Sequence, residues 1–194
     1  MKDQITQIFQ NSIKAKRDFL EKNCSSLVAA IQVIIHAFRA GGKVLLFGNG
    51  GSAADAQHLA AEFVNRYKLD RPALPAIALT TDSSTITSIA NDVNFEEVFV
   101  KQIRALGKTG DIAIAISTSG NSVNDLRAVE CSRQMGLRTI GLTGGDGGEL
   151  VSLVEHSLCV SGTTNTARIQ EAHILIGHAM CELVEETLYG RARE

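Results

Sequence analysis

His58 and Glu62 stand four residues apart in a stretch with helical periodicity. That spacing puts an imidazole and a carboxylate on one helix face, about 6 Å apart along the axis. Such a pair suits two ligands of one metal ion; the plain alternative is a half-exposed helix face. A second pattern is Ser117-Thr118-Ser119-Gly120-Asn121-Ser122, four hydroxyls in six residues. A helix cap needs one hydroxyl. Four of them beside free N–H groups at a helix mouth make a phosphate cup. A third pattern is Gly48-Asn49-Gly50-Gly51-Ser52-Ala53. Its glycines let backbone N–H groups approach an anion, and the helix starting near Ser52, with Ser52 as N-cap, adds its positive dipole end. The same string fits the loose dinucleotide fingerprint G-x-G-x-x-A. The acidic residue expected about 20 positions on is not in place, however. Asp70 precedes the next strand and Asp82 lies beyond it. Two such loops point to one phosphate monoester with a polyol body. Thr143-Gly144-Gly145-Asp146-Gly147-Gly148 reads as a turn.

These loops need a scaffold that brings them together. Short apolar runs at Lys43–Phe47, Ala76–Thr80, Ile112–Ile116, Thr139–Leu142 and His156–Val160 read as strands. Helical patterns at Ser52–Tyr67, Phe95–Leu106, Ser122–Met135 and Thr166–Leu188 alternate with them. That alternation predicts βαβ units, hence an α/β fold with a doubly wound, parallel five-stranded sheet in flavodoxin-like order. Ligands in such sheets bind at the carboxyl ends of the strands, where the loops lie. The first forty residues read as two helices, one through Phe19 and one over about Ser26–Arg39, ending at Gly41-Gly42. They form a helical extension outside the sheet, residues 1–41, whose surplus apolar faces suggest oligomer contacts. The whole chain, 1–194, reads as one domain.

The composition bounds the function. The chain has 194 residues, 44% hydrophobic and 21% charged, with Lys+Arg 19, Asp+Glu 21 and a net charge of −2. This is globular usage, and the absence of a basic run argues against direct nucleic-acid binding. The longest apolar stretch, Leu27–Phe38, is interrupted by Gln32 and His36, well short of a membrane span. The start, MKDQITQIFQ, has no apolar signal core. Cys24, Cys131, Cys159 and Cys181 form no CxxC pair and read as free thiols of a reducing cytoplasm.

Five strings in this order, GNGGSAADAQHLAAE, AND, STSGNS, LTGGDGG and RIQEAHILIGH, resemble the sugar isomerase (SIS) domain family over nearly the whole chain. The resemblance is strongest to its branch of heptose-phosphate isomerases. It implies an isomerase that interconverts sedoheptulose 7-phosphate and D-glycero-D-manno-heptose 7-phosphate through an enediol, at the start of heptose precursor synthesis for lipopolysaccharide. By position, Asn49, Gly50, Gly51 and Ser52 would contact substrate, and Asn91 and Asp92 would bind sugar hydroxyls. Ser117, Thr118, Ser119 and Ser122 would hold the phosphate. Gln170 would meet the reacting end, and Glu62 and His178 would be the catalytic acid–base pair. The resemblance also implies one zinc ion per subunit on His58, Glu62, Gln170 and His178, and a cytoplasmic homotetramer with interfacial active sites. Its partner is a small sugar phosphate, not a nucleic acid or a membrane. Ala167 departs from the Asp that some members carry. A non-catalytic relative that associates with the replication initiator DnaA is similar in RPALPAIALTTD and KQIRALG. It replaces the acidic residue of HLAAE and the late histidine, and this chain keeps both, as Glu62 and His178.

One spacing resists that ligand set. Gln170 and His178 are eight apart, about 80° and 12 Å on a regular helix. Periodicity alone would pair Glu171 with His178. Sharing of the site between subunits, with Glu62 and His178 as the pair to test, would relieve the mismatch. His173 reads as structural, as do His36 and His156. Arg168 fits a substrate contact or an ion pair with Glu171.

Overall fold

The computed structural model describes residues 1–190. The last four residues of the expected 1–194 domain lie outside the described residues.

The N-terminal segment is one helix, α1 (Lys2–Arg39), and not two. No glycine or proline interrupts residues 2–39, and the polar stretch that suggested a break is used inside the helix. Asn23 Nδ2 donates to the Phe19 carbonyl and to Cys159 O, both at 3.2 Å. The helix ends in a Schellman motif. Gly41, at φ 79°, donates to Phe38 O and Gly42 donates to Ala37 O.

Five strands follow: β1 (Val44–Gly48), β2 (Ala76–Ala78), β3 (Ile112–Ile116), β4 (Arg138–Gly144) and β5 (His156–Val160). They pair in parallel in the order β2-β1-β3-β4-β5, the expected flavodoxin-like order. Between them run α2 (Gly51–Val64), α3 (Ser83–Asp92), α4 (Val98–Leu106, after a 3-10 turn at Phe95–Glu97), α5 (Val123–Gln134) and α6 (Leu150–Leu153). The chain then enters α7 (Thr166–Tyr189). The helix α3 escapes periodicity because it buries no residue; Asp82 caps it by accepting from Thr85 N at 3.0 Å.

The period of two along each strand divides the core. Val44, Leu46, Ile112, Ile114 and Ile116 face α1, α2 and α7. Leu45, Phe47, Ala113 and Ala115 face α4 and α5. The chain turns one way from β1 to β2 and the other way to β3. Adjacent strands β1 and β3 therefore open a crevice at their carboxyl ends, where loops 48–52 and 117–122 meet.

α7 runs alongside α2 in the same direction. A Cβ on Gly51 would meet Gln170 Nε2 at 2.4 Å, and one on Gly177 would meet Leu59 at 2.5 Å. At the far end, Arg71 and Glu185 form a buried pair at 3.0 Å.

Candidate functional site

At the crevice the two loops grip each other. Asn49 and Asn124 exchange reciprocal amide hydrogen bonds of 2.9 Å. Asn49 Nδ2 also reaches Asp125 at 3.2 Å. Gly50 caps α2 at φ 56°, a conformation suited to glycine. Ser52, read as the N-cap, instead lies buried in the first turn and makes no capping bond.

In the second loop Ser117 is buried and its Oγ lies 3.2 Å from Ser122 Oγ. Ser122 precedes α5, so the free N–H groups of that helix start open on the same spot. Thr118 and Ser119 line a cleft of about 360 Å³ with Gly144, Gly145, Asp146, Thr164 and Thr166. Of the 143–148 segment, read as a turn, Thr143 and Gly144 end β4, and residues 145–148 form a turn that is also a wall. A Cβ on Gly120 would come within 1.9 Å of Gly147 O, and Asn121 Oδ1 accepts from Glu149 N at 2.9 Å.

Further along α2, His58 and Glu62, six and ten residues after Ser52, form with His178 of α7 a cluster whose ligand atoms all lie within 4.8 Å of one another. His58 Nε2 is 3.0 Å from Glu62 Oε1, His178 Nε2 is 3.6 Å from the same oxygen, and the two imidazole nitrogens are 3.5 Å apart. Glu62 Oε2 is buried and has no partner of full hydrogen-bond geometry, with the Cys181 thiol beside the carboxylate. Two nitrogens and a carboxylate at this spacing are the donors that zinc takes. Tyr67 lies against His178, ring centroids 5.8 Å apart. Asp55 faces the cluster one turn earlier. Burial raises its carboxyl, and the nearby His58 and His178 oppose that rise. Burial also pushes the Cys181 thiol up, with the Glu62 charge adding to it.

The cluster is held by residues that carry no spacing signal. Arg71 donates to the carbonyls of Glu62 (2.9 Å) and Phe63 (2.7 Å) and to Glu185. Glu185, 1% exposed, also accepts from the backbone of Tyr67, Lys68 and Leu69. One buried carboxylate thus ties the end of α2, and Glu62 with it, to α7. Each partner reads as an isolated charge in the sequence. Asn124 and Asp125 were likewise missed, because polar residues in a first helical turn read as ordinary capping chemistry.

Other expected residues fall elsewhere. Gln170 lies against Gly51 at the loop end of α2, and His178 is at the opposite end. Within one chain, then, three of the four implied ligands meet and Gln170 does not join them. Glu62 and His178 meet inside one chain because α7 runs parallel to α2, so this pair needs no sharing between subunits. Asn91 and Asp92 are exposed at the end of α3 and bonded to each other at 2.8 Å. His173 is structural: fully buried, it bonds Thr143 O at 2.9 Å, and burial holds its imidazole down to about 4. Arg168 pairs with Glu171 at 2.5 Å and donates to Ile8 O of α1 at 2.9 Å.

Comparison with known proteins agrees with this fold. The SIS domain model matches residues 8–144. The phosphoheptose isomerase of Thermodesulfovibrio yellowstonii is 47% identical over 189 residues, covering 97% of this chain and 94% of that one. That of a Roseiflexus species is 52% identical over 178 residues, 92% and 90% of the two chains. The structure of phosphoheptose isomerase GmhA from Neisseria gonorrhoeae superposes with a TM-score of 0.89 at 42% identity, covering 95% of this chain and 98% of that one. A phosphoheptose isomerase from Francisella tularensis superposes equally well, at 39% identity over 95% and 97% of the two chains.

Proposed function

From the membership of this chain in the SIS domain family, we infer that it is a phosphoheptose isomerase, interconverting sedoheptulose 7-phosphate and D-glycero-D-manno-heptose 7-phosphate. The observation that carries this is the pairing of a hydroxyl-lined anion cup with a carboxylate flanked by two imidazoles. The DnaA-associated reading needs no such cluster and is not favoured.

The chemistry moves a proton between C1 and C2 of the sugar. A base removes the C1 proton of the ketose, and an acid protonates the C2 oxygen to give the enediol. Return of a proton to C2 and loss of the O1 proton gives the aldose. Glu62 suits the carbon base: Oε1 faces the imidazoles and Oε2 has no partner of full hydrogen-bond geometry. His178 suits the proton exchange at oxygen. Ser117, Thr118, Ser119 and Ser122 bind the phosphate, with Asn49, Gly50, Gly51 and Ser52 beside it. Asn91 and Asp92 bind sugar hydroxyls. Zinc on His58, Glu62 and His178 would supply Lewis acidity at the sugar carbonyl.

The active site is completed between subunits. Within one chain Gln170 lies against Gly51 at the cup end, apart from His58, Glu62 and His178, so a second chain supplies it as the fourth ligand. The exposed apolar side chains Ile5, Ile8, Phe9, Ile13 and Leu20 of α1 supply contact surface for a homotetramer. The four cysteines are free, and no helix among the described residues is long and apolar enough to cross a membrane. A cytoplasmic enzyme of lipopolysaccharide heptose synthesis fits both.

The test is turnover of sedoheptulose 7-phosphate with and without added zinc, beside Glu62→Gln. Turnover lost in the variant supports the reading; a folded, zinc-loaded wild-type protein that does not turn over overturns it.

A further inference from the structure

Behind the cup sits a carboxyl group that the isomerisation does not use. Asp125 is 1% exposed, in the first turn of α5. It is joined to the first loop by the 3.2 Å bond from Asn49. Its Oδ1 is buried with no partner of full hydrogen-bond geometry. Burial pushes its carboxyl up to about 7, against hydrogen bonds from Ser122 and Asn49 that favour the charged form, and no cation is among the causes. The charged groups of the elements packed on α5 are engaged elsewhere or remote. Glu96 and Glu97 pair with Arg127, and Arg104 lines a surface cleft with Glu97 and Arg127. Glu149, whose N–H donates to Asn121, is exposed, as is Asp146 in the cleft of Thr118 and Ser119. From the loop after β1 the group facing Asp125 is the neutral Asn49 amide.

A phosphate dianion held by Ser122 would lie within a helical turn of this carboxyl. Two negative charges that close, one of them buried, repel strongly. We propose that Asp125 is a proton-coupled positioning residue: as a neutral acid it braces Asn49 and Ser122 around the cup, and it takes a proton from solvent when a phosphate dianion binds. This rests on reading residues 117–122 as a phosphate cup. The proton comes from water and resides on the carboxyl; no other bond changes. The sign follows from the raised value: the free protein loses the proton as pH rises through about 7, so sugar-phosphate affinity falls above that pH.

The experiment is calorimetric titration of the oligomer with sedoheptulose 7-phosphate at pH 8, in two buffers of different ionisation enthalpy. Glu62→Gln is present throughout to prevent turnover. At this pH the phosphate ester, with a second pKa of about 6, is already dianionic. The protein with Asp125 is expected to take up about 0.9 proton per site, and its affinity to weaken about fivefold between pH 7 and pH 8. Asp125→Asn, which mimics the neutral acid, takes up none and binds equally at both pH values. Asp125→Leu, which removes the brace, weakens binding at pH 7 as well. Zero uptake by the Asp125 protein overturns the proposal without reference to any variant, as does equal uptake in Asp125→Asn. No binding by either protein overturns the cup reading, and the proposal with it.

Discussion

The two ends of α2 are built on opposite plans. At its start the chain satisfies itself: Asn49 and Asn124 bond reciprocally, and the two serines of the cup face each other. Gly120 and Gly147 touch backbone to backbone, with no room for a methyl group. At its other end His58 is half exposed and the second oxygen of Glu62 is buried with no partner of full hydrogen-bond geometry. A buried, unpaired carboxylate oxygen is costly, and a fold keeps one where a ligand will meet it. The loop end is thus preorganised within one chain, and the other end keeps a half-exposed imidazole and a buried carboxylate oxygen in reserve.

The sharpest test of that division is Glu62→Gln, expected to lower kcat about a thousandfold with little change in KM. A comparable loss of substrate binding, seen in steady-state kinetics, would show that the two ends are not separate in role. Subunit mixing comes next. Equal amounts of Glu62→Gln and a cup-defective Ser119→Ala/Ser122→Ala protein, each inactive, should on reassembly recover about one quarter of wild-type activity, because random pairing leaves that share of sites intact. No recovery would place cup and cluster of each site in one chain.

Smaller effects follow. Glu185→Ala leaves Arg71 buried and unpaired, a loss of about 3–5 kcal/mol. Calorimetry should show Tm falling by about 10 °C. Burial alone would raise the Glu185 carboxyl, but the N–H groups of Leu69, Tyr67 and Lys68 and the Arg71 guanidinium outweigh it and hold it below its ordinary value. The stabilisation is therefore full above the ordinary glutamate range and lost as pH falls through the lowered value, a slope that the variant should lack. Gly51→Ala should have the mildest effect, since its Cβ meets only the movable end of Gln170. A severalfold rise in KM, with Tm within about 2 °C of wild type, would show that Gln170 works at the cup end. An unchanged KM would remove it from that end.

Much of this was legible beforehand. Each strand is a short apolar run between helical patterns, so the sheet and its order could be read from local chemistry. The His58–Glu62 pair was legible because a helix fixes i, i+4 neighbours whatever surrounds it. The single α1 was not, because a capping residue such as Asn23 also serves inside a helix when a neighbouring strand offers an acceptor. The Arg71–Glu185 tie and the Asn49–Asn124–Asp125 bracket were not, because partners 75 to 114 residues apart have no common period.

What the sequence determined alone is the kind of chemistry: a hydroxyl-rich cup, a carboxylate and imidazoles, on a parallel sheet. What the tertiary structure decided is which of these groups meet. Laying α7 parallel to α2 sets Gln170 beside Gly51 and His178 beside Glu62, and so divides one implied ligand set between two ends of a helix. Spacing along a chain fixes neighbours within an element, and only the packing of one element on another fixes neighbours between them.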